Sequence, residues 1–162
     1  MQALPAIGAS ASAHIPWHYR APLLYLEPLF ALSGSLLSIF KPGDYLSTMS
    51  REAVTSIQPG TDFIYTELAG GWLFFAFTEA VIFRLVDDVR MWRLLCFGML
   101  LSDIAYCHSC AQAVGGWSTW VVLSSWTAAD WTVTLTTWPF VLARIAIALG
   151  LGLRDPAGKL AE

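Results

Sequence analysis

The chain has 162 residues and a formal net charge of -3, and it is 56% hydrophobic but only 13% charged, with a mean hydropathy of +0.57. A soluble domain carries about a quarter of its residues charged to cover its surface, so this composition excludes an ordinary water-soluble fold and indicates a chain folded in lipid. The weak net charge and the lack of any Lys/Arg-rich run exclude nucleic acid as a partner.

In chain order, residues 1–20 lack the basic start and unbroken apolar core of a signal peptide and contain Pro5 and Pro16, so they read as a short tail. Four stretches then approach the roughly 20 apolar residues needed to cross the hydrocarbon core: 21–40, 63–86, 91–113 and 131–153. Continuous apolar runs without alternation indicate helices rather than a barrel, hence an all-α membrane-spanning bundle of about four transmembrane helices within residues 21–153. Between the first two spans, Pro42-Gly43 and Pro59-Gly60 bound a loop with room for one short helix. The turn at Asp87-Asp88 is short, which predicts that the second and third spans are antiparallel neighbours. Residues 115–130 place Trp117, Trp120 and Trp126 among serines and threonines and read as an interfacial, Trp-rich cap, and 154–162 as a C-terminal tail. Arg20, Arg84, Arg90, Arg93, Arg154 and Lys159 fall on one side and Lys41 and Arg51 on the other, so the positive-inside rule predicts that both termini are cytosolic.

Glu27, Glu67, Glu79, Asp103 and Arg144 lie inside the predicted spans. Each costs about 3 kcal/mol or more if it faces lipid at mid-depth, so they are expected to face one another. At 1.5 Å per residue from the nearest basic anchor, Glu79 lies about 8 Å deep, Glu27 about 10 Å, and Asp103 and Arg144 about 15 Å. The matching depths predict an Arg144–Asp103 ion pair. One arginine cannot neutralise three carboxylates, so at least one acid is expected to stay protonated and to serve as a general acid, with Glu79 the first choice, Asp103 the second and Glu27 the third. Ala31, Gly34 and Ser38 share the face of Glu27 and allow close approach. Pro28 and Pro139 deprive the carbonyls of Leu24 and Leu135 of their helical donors, a device found at many membrane binding sites, although kinking for packing alone explains them equally well.

Of the aromatic residues, Trp92, Trp117, Trp120, Trp126 and Trp131 fall near predicted helix ends and read as an interfacial belt. Trp72, Phe75, Tyr25, Tyr106 and Trp138 lie further in and are candidates to line a substrate cavity whose ring faces steady a cation, although plain packing explains any one of them equally well. Cys107 and Cys110 form an isolated C-x-x-C without the second pair that structural zinc wants, and they read as packing residues, with no metal or cofactor implied. Asp87-Asp88 lacks the later aspartate of an aspartate-rich magnesium motif and is followed by Arg90 and Arg93, which argues against a diphosphate site there.

Several dispersed strings carry a resemblance: Ile15-Pro16 with Tyr19-Arg20, Tyr25-Leu26-Glu27-Pro28, Glu79-Ala80 with Arg84, Trp92-Arg93, Ser102-Asp103, Asp130-Trp131 and Arg144. Over residues 15–153 the chain resembles a family of small fungal membrane proteins similar in style to the integral-membrane terpene cyclases of meroterpenoid biosynthesis. Ala105-Tyr106 and Thr132-Val133 stand where that pattern has Gly-His and Gly-Asn, so no role passes to His108. The resemblance implies a functional set of Glu27, Glu79, Asp103, Asp130 and Arg144, with Asp130 and Arg144 on the substrate side, and a setting in the endoplasmic reticulum membrane.

These readings converge on an expected non-redox cyclase of isomerase or lyase type. It would protonate a terminal alkene or epoxide of a linear prenyl chain, a lipophilic prenylated substrate reached from the membrane lipid. The rivals are a sterol or lipid isomerase, and a non-catalytic lipid-binding or assembly subunit whose charges only hold the bundle together.

Overall fold

The computed structural model describes residues 8–154. Residues 1–7 of the expected N-terminal tail, and the expected C-terminal tail beyond Arg154 with Lys159, lie outside the described residues. Helix α1 (Ala11–His14) is capped by the Ser10 side chain, which accepts from the Ala13 N–H. Four long apolar helices follow: α2 (Trp17–Phe40), α4 (Asp62–Leu85), α5 (Val89–Ala113) and α7 (Ala128–Leu149). Between them lie two short helices, α3 (Pro42–Met49) and α6 (Trp117–Trp120). The protein is an all-α membrane bundle. Large side chains such as Leu29, Phe63, Phe74, Leu101 and Ile104 are about two-thirds exposed on its outer faces, which only a lipid surround accommodates.

The helix boundaries follow local chemistry. Pro16 precedes α2 in an extended conformation, so the helix opens at Trp17, four residues before the expected start. Pro42 cannot donate to α2 but suits the first position of α3, so the chain turns sharply at Lys41. Asp88 caps α5 by accepting from the N–H groups of Arg90 and Met91. Thr127 and Asp130 form a capping box that starts α7 three residues early, and left-handed Gly150 ends it before the expected Leu153. Pro139 interrupts α7, splitting it into Ala128–Leu135 and Trp138–Leu149.

Two π-helical turns, Pro22–Leu26 in α2 and Thr78–Ile82 in α4, lie against each other. The first precedes Pro28 by two residues, and the carbonyl of Leu24 that Pro28 leaves without a helical donor accepts instead from Arg84 of α4. Arg84 also donates to the Ala80 carbonyl.

The helices pair as α2 with α4 and α5 with α7. The expectation of close neighbours either side of the Asp87-Asp88 turn holds only at that end, where the Phe83 ring stacks on Trp92 at 4.2 Å; beyond it α4 and α5 diverge. This end is sealed by Ile15, Leu23, Val89, Trp92 and Ile147, all essentially inaccessible. Residues 8–16 therefore pack on the core through Ala11, Ile15 and Pro16 rather than forming a free tail. Asp87 accepts from the Ser12 N–H and both serine hydroxyls, Asp88 accepts from the Gly8 N–H, and the Arg154 N–H donates to the His14 carbonyl. The opposite end is closed by α3, α6 and the start of α7 around Met49, Cys110, Ala111 and Trp120.

Trp92 corrects the belt expectation. It is 1% exposed and donates its indole N–H to the Val86 carbonyl at 2.7 Å, because it shares the inward face of α5 with Cys96, Met99 and Asp103. Trp120 is also buried, while Trp117 and Trp131 remain at the surface.

Candidate functional site

Arg144 is the hub of the bundle interior. Its Nε and Nη2 donate to the two oxygens of Asp103, each at 2.8 Å, as a fork. Its Nη1 donates to Glu27 at 2.6 Å and to Glu79 at 2.9 Å. One ionisable group comes from each of the four long helices, and all four side chains are buried. The predicted Arg144–Asp103 pair is present, and the arginine gathers both glutamates as well. Glu27 directly follows the π-turn of α2, and Glu79 sits within that of α4. A widened turn displaces the side chains around it, and such turns recur at functional sites. The Phe75 ring faces the guanidinium, 5.5 Å from its carbon.

The divergence of the two helix pairs leaves two neighbouring cavities on the side of the cluster away from the chain ends. One, of about 480 Å³, opens between α4 and α5. The other, of about 320 Å³, lies between α2 and the first half of α7. Both are bounded by Trp72, Phe75, Tyr106, Tyr45, Met49 and Asp103. Trp72 and Tyr106 meet edge to face at 5.2 Å and form the partition. Gly34 lies against it, where a Cβ would be in ordinary contact with the Trp72 ring at 3.5 Å. Tyr45, on α3 outside the spans, has its phenol pushed up to about 12 by burial, so it stays protonated.

The expected residues divide. Glu27, Glu79, Asp103 and Arg144 are brought together, and Trp72, Phe75 and Tyr106 wall the cavities. Asp103 reaches both cavities and Glu27 the smaller, whereas Glu79, first in the expected order of acids, lies behind them and lines neither. Tyr25 departs from the expectation: it is 52% exposed, held at the outer surface by Trp17 at 5.8 Å and by the Arg84 guanidinium at 5.0 Å. Trp138 borders a narrow gap beside Cys107 and Cys110 and lines neither cavity. Asp130 is buried at the capped end, where it accepts from Thr127 and from Arg51 at 2.9 Å; it ties the loop after α3 to the cap and lines neither cavity. Glu67 faces outward one turn into α4 and does not join the cluster. Cys96, Cys107 and Cys110 are free thiols. Tyr45 and Met49 escaped the sequence reading because a short amphipathic helix inside a connecting segment gives no sign that it folds back over the bundle.

A membrane bundle whose four long helices converge on one buried arginine beneath an aromatic chamber is the class of protein these features define. Residues 12–154 match the family described as a domain of unknown function, DUF7704, and the chain belongs to that family. No curated protein and no solved structure matches the chain.

Proposed function

We propose that the protein is an integral-membrane, non-redox cyclase acting on a linear prenyl chain, with Glu27 as its proton donor. The observation that carries this reading is a carboxylate cluster placed at the floor of an apolar, aromatic chamber. The Asp103–Arg144 fork is a complete charge pair. Glu27 and Glu79 then share the one remaining nitrogen, Nη1, and the second oxygen of Glu79 is buried without a partner. Two carboxylates at one N–H donor in a dry setting favour holding a proton between them. Glu27 faces the chamber and delivers that proton to a terminal alkene carbon or epoxide oxygen. The resulting cation closes the ring or rings against the faces of Trp72, Phe75 and Tyr106. Loss of a proton from the last cation to a carboxylate of the cluster restores the acid, so the product is an isomer of the substrate. The gaps between the helix pairs admit a lipid-soluble chain from the bilayer, and exclusion of bulk water protects the cation. The Trp72–Tyr106 partition divides the chamber into two narrow lobes, which suits a flexible chain better than a rigid fused ring and so disfavours a sterol isomerase.

The resemblance to membrane terpene cyclases supports the same activity and an endoplasmic reticulum location. Five arginines lie toward the described chain ends against Lys41 and Arg51 at the other, which supports cytosolic termini; a lumenal signal from reporter fusions at both ends would refute that orientation. The activity is tested by expressing the protein in a host fed a farnesylated phenol. The expected product has unchanged mass and altered retention, and Glu27→Gln is expected to lower its rate at least about a hundredfold. Unimpaired turnover by Glu27→Gln moves the donor elsewhere.

A second reading has its own observation. Arg144 binds a carboxylate from each of the other three long helices, as a purely structural pin would. A wild-type protein that forms no isomer from any prenyl chain yet binds lipid stoichiometrically would establish that reading instead.

A further inference from the structure

Tyr25, a sequence candidate for the chamber that the fold turns outward, belongs instead to a row of side chains on the outer surface of the bundle. The Arg20 guanidinium lies over the Trp17 ring at 5.5 Å, Trp17 meets Tyr25 edge to face at 5.8 Å, and the Arg84 guanidinium lies over the Tyr25 ring at 5.0 Å. Two cations thus flank two aromatic rings, each about half exposed. The row stands at the chain-end limit of the bundle, where α2 opens at Trp17 and α4 closes at Leu85, the level at which aromatic rings and arginines meet lipid headgroups. Among the described residues neither arginine has a carboxylate within ion-pair distance, unlike Arg51 and Arg144. Asp87 lies near enough to Arg20 to feel its charge, but it is engaged by Ser10 and Ser12. Arg84 is exposed and donates to the carbonyls of Ala80 and Leu24, which fix its position without cancelling its charge. A cation at the edge of the hydrocarbon is costly without an anion beside it.

We infer that this row is a binding site for the headgroup of an anionic phospholipid, drawn there by the Arg20 and Arg84 charges and bordered by Trp17 and Tyr25. Deeper along α2, Leu26 and Leu29 are exposed and continue the surface toward the level of the acyl chains, so the site offers both charge and apolar contact. A choline headgroup suits it less, because its ammonium would meet the two guanidinium groups that already lie over the rings. The site is on the far side of the acid cluster from the chamber, and its occupant is a lipid of the surrounding bilayer rather than a substrate.

The test uses the full chain in maltoside micelles, with tritiated dioleoyl phosphatidate as the probe and unlabelled competitors. Unlabelled dioleoyl phosphatidate is expected to displace it at about tenfold lower concentration than dioleoyl phosphatidylcholine, which has the same acyl chains but no net charge. Inorganic phosphate at the same concentration is expected to displace none, because it brings no apolar surface. Arg20→Gln and Arg84→Gln are each expected to weaken binding about three- to fivefold, the usual effect of one basic side chain near an anionic surface. Arg90→Gln removes the same charge at the same end of the bundle but outside the row, and is expected to weaken it less than about 1.5-fold. Arg84 also holds the Leu24 carbonyl, so should Arg84→Gln fail to fold, Arg20→Gln carries the test, since the Arg20 Nε has no hydrogen-bond partner to lose. No binding of phosphatidate, equal displacement by the two lipids, displacement by inorganic phosphate, full affinity in Arg20→Gln, or equal weakening by Arg20→Gln and Arg90→Gln would each overturn the site. Product formation in the chamber is a separate measurement, so the cyclase and the lipid site stand or fall independently.

Discussion

Replacing Arg144 by methionine removes the one cation among three buried carboxyl groups. The guanidinium donates four hydrogen bonds between 2.6 and 2.9 Å, and hydrogen bonds to charged groups contribute about 1.5–3 kcal/mol each, an upper bound of about 6–12 kcal/mol for the set. The orphaned acids recover part of this by taking up protons and bonding one another. The expected net loss is therefore about 3–5 kcal/mol, the usual cost of removing one partner from a buried ion pair. Arg144→Lys keeps the charge but cannot reproduce the planar fork to Asp103, and about 2–3 kcal/mol is expected to be lost. Steric-trapping measurements of unfolding in bicelles report these differences directly. Adding Glu27→Gln, Glu79→Gln and Asp103→Asn to Arg144→Met is expected to restore at least half of the loss, because neutral amides and methionine carry no unpaired charge. If Arg144→Met alone lies within about 1 kcal/mol of wild type, which is the range of a solvent-exposed pair, the cluster is not a buried electrostatic hub and the argument built on it fails.

Other outcomes follow from single contacts. A Cβ at Gly43 would come within 2.7 Å of the Thr55 carbonyl oxygen, whereas one at Gly34 would meet only the Trp72 ring at 3.5 Å; thermal unfolding in detergent should show Gly43→Ala destabilised by about 1–3 kcal/mol and Gly34→Ala changed by less than about 0.5 kcal/mol. Trp92→Ala is expected to cost about 3–5 kcal/mol, against less than about 1 kcal/mol for surface Trp117→Ala, and equal effects would contradict the inward placement of Trp92. Hydrogen bonds from Ser10 and Ser12 hold the Asp87 carboxyl below its ordinary value, and backbone N–H groups, that of Met91 foremost, do the same for Asp88. A lowered folded-state value means that this anchoring is complete above the unfolded value of about 3.9 and is lost as pH falls through the folded one. The protection factors of residues 9–15, exchange rates corrected for their intrinsic pH dependence, should therefore hold from neutral pH to about pH 5 and fall only below about pH 4; a fall between pH 8 and 6 would exclude Asp87 and Asp88 as the cause.

Read from composition alone, the solvent of this protein is lipid, and its four spans could be placed to within about four residues because an apolar run of bilayer length has no alternative. The same cost argument picked out Glu27, Glu79, Asp103 and Arg144, since an ionised group inside a span must face the bundle interior. It failed for Glu67, which lies close enough to the start of α4 to remain outside. Depth along a helix is carried by residue number, so the Arg144–Asp103 pairing was legible too. Rotation and lateral position are not carried that way. Whether Glu27 or Glu79 meets the chamber depends on two π-turns and on which helices pair, and neither has a signature in local periodicity. Tyr25 and Trp138 shared the apolar character of Trp72 and Phe75, and only packing decided that they turn away from the cavities. Tyr45 reaches the chamber because the Arg51–Asp130 ion pair and the close contact at Gly43 hold the segment after α2 across the bundle, interactions between residues far apart in the chain that the tertiary fold alone brings within reach.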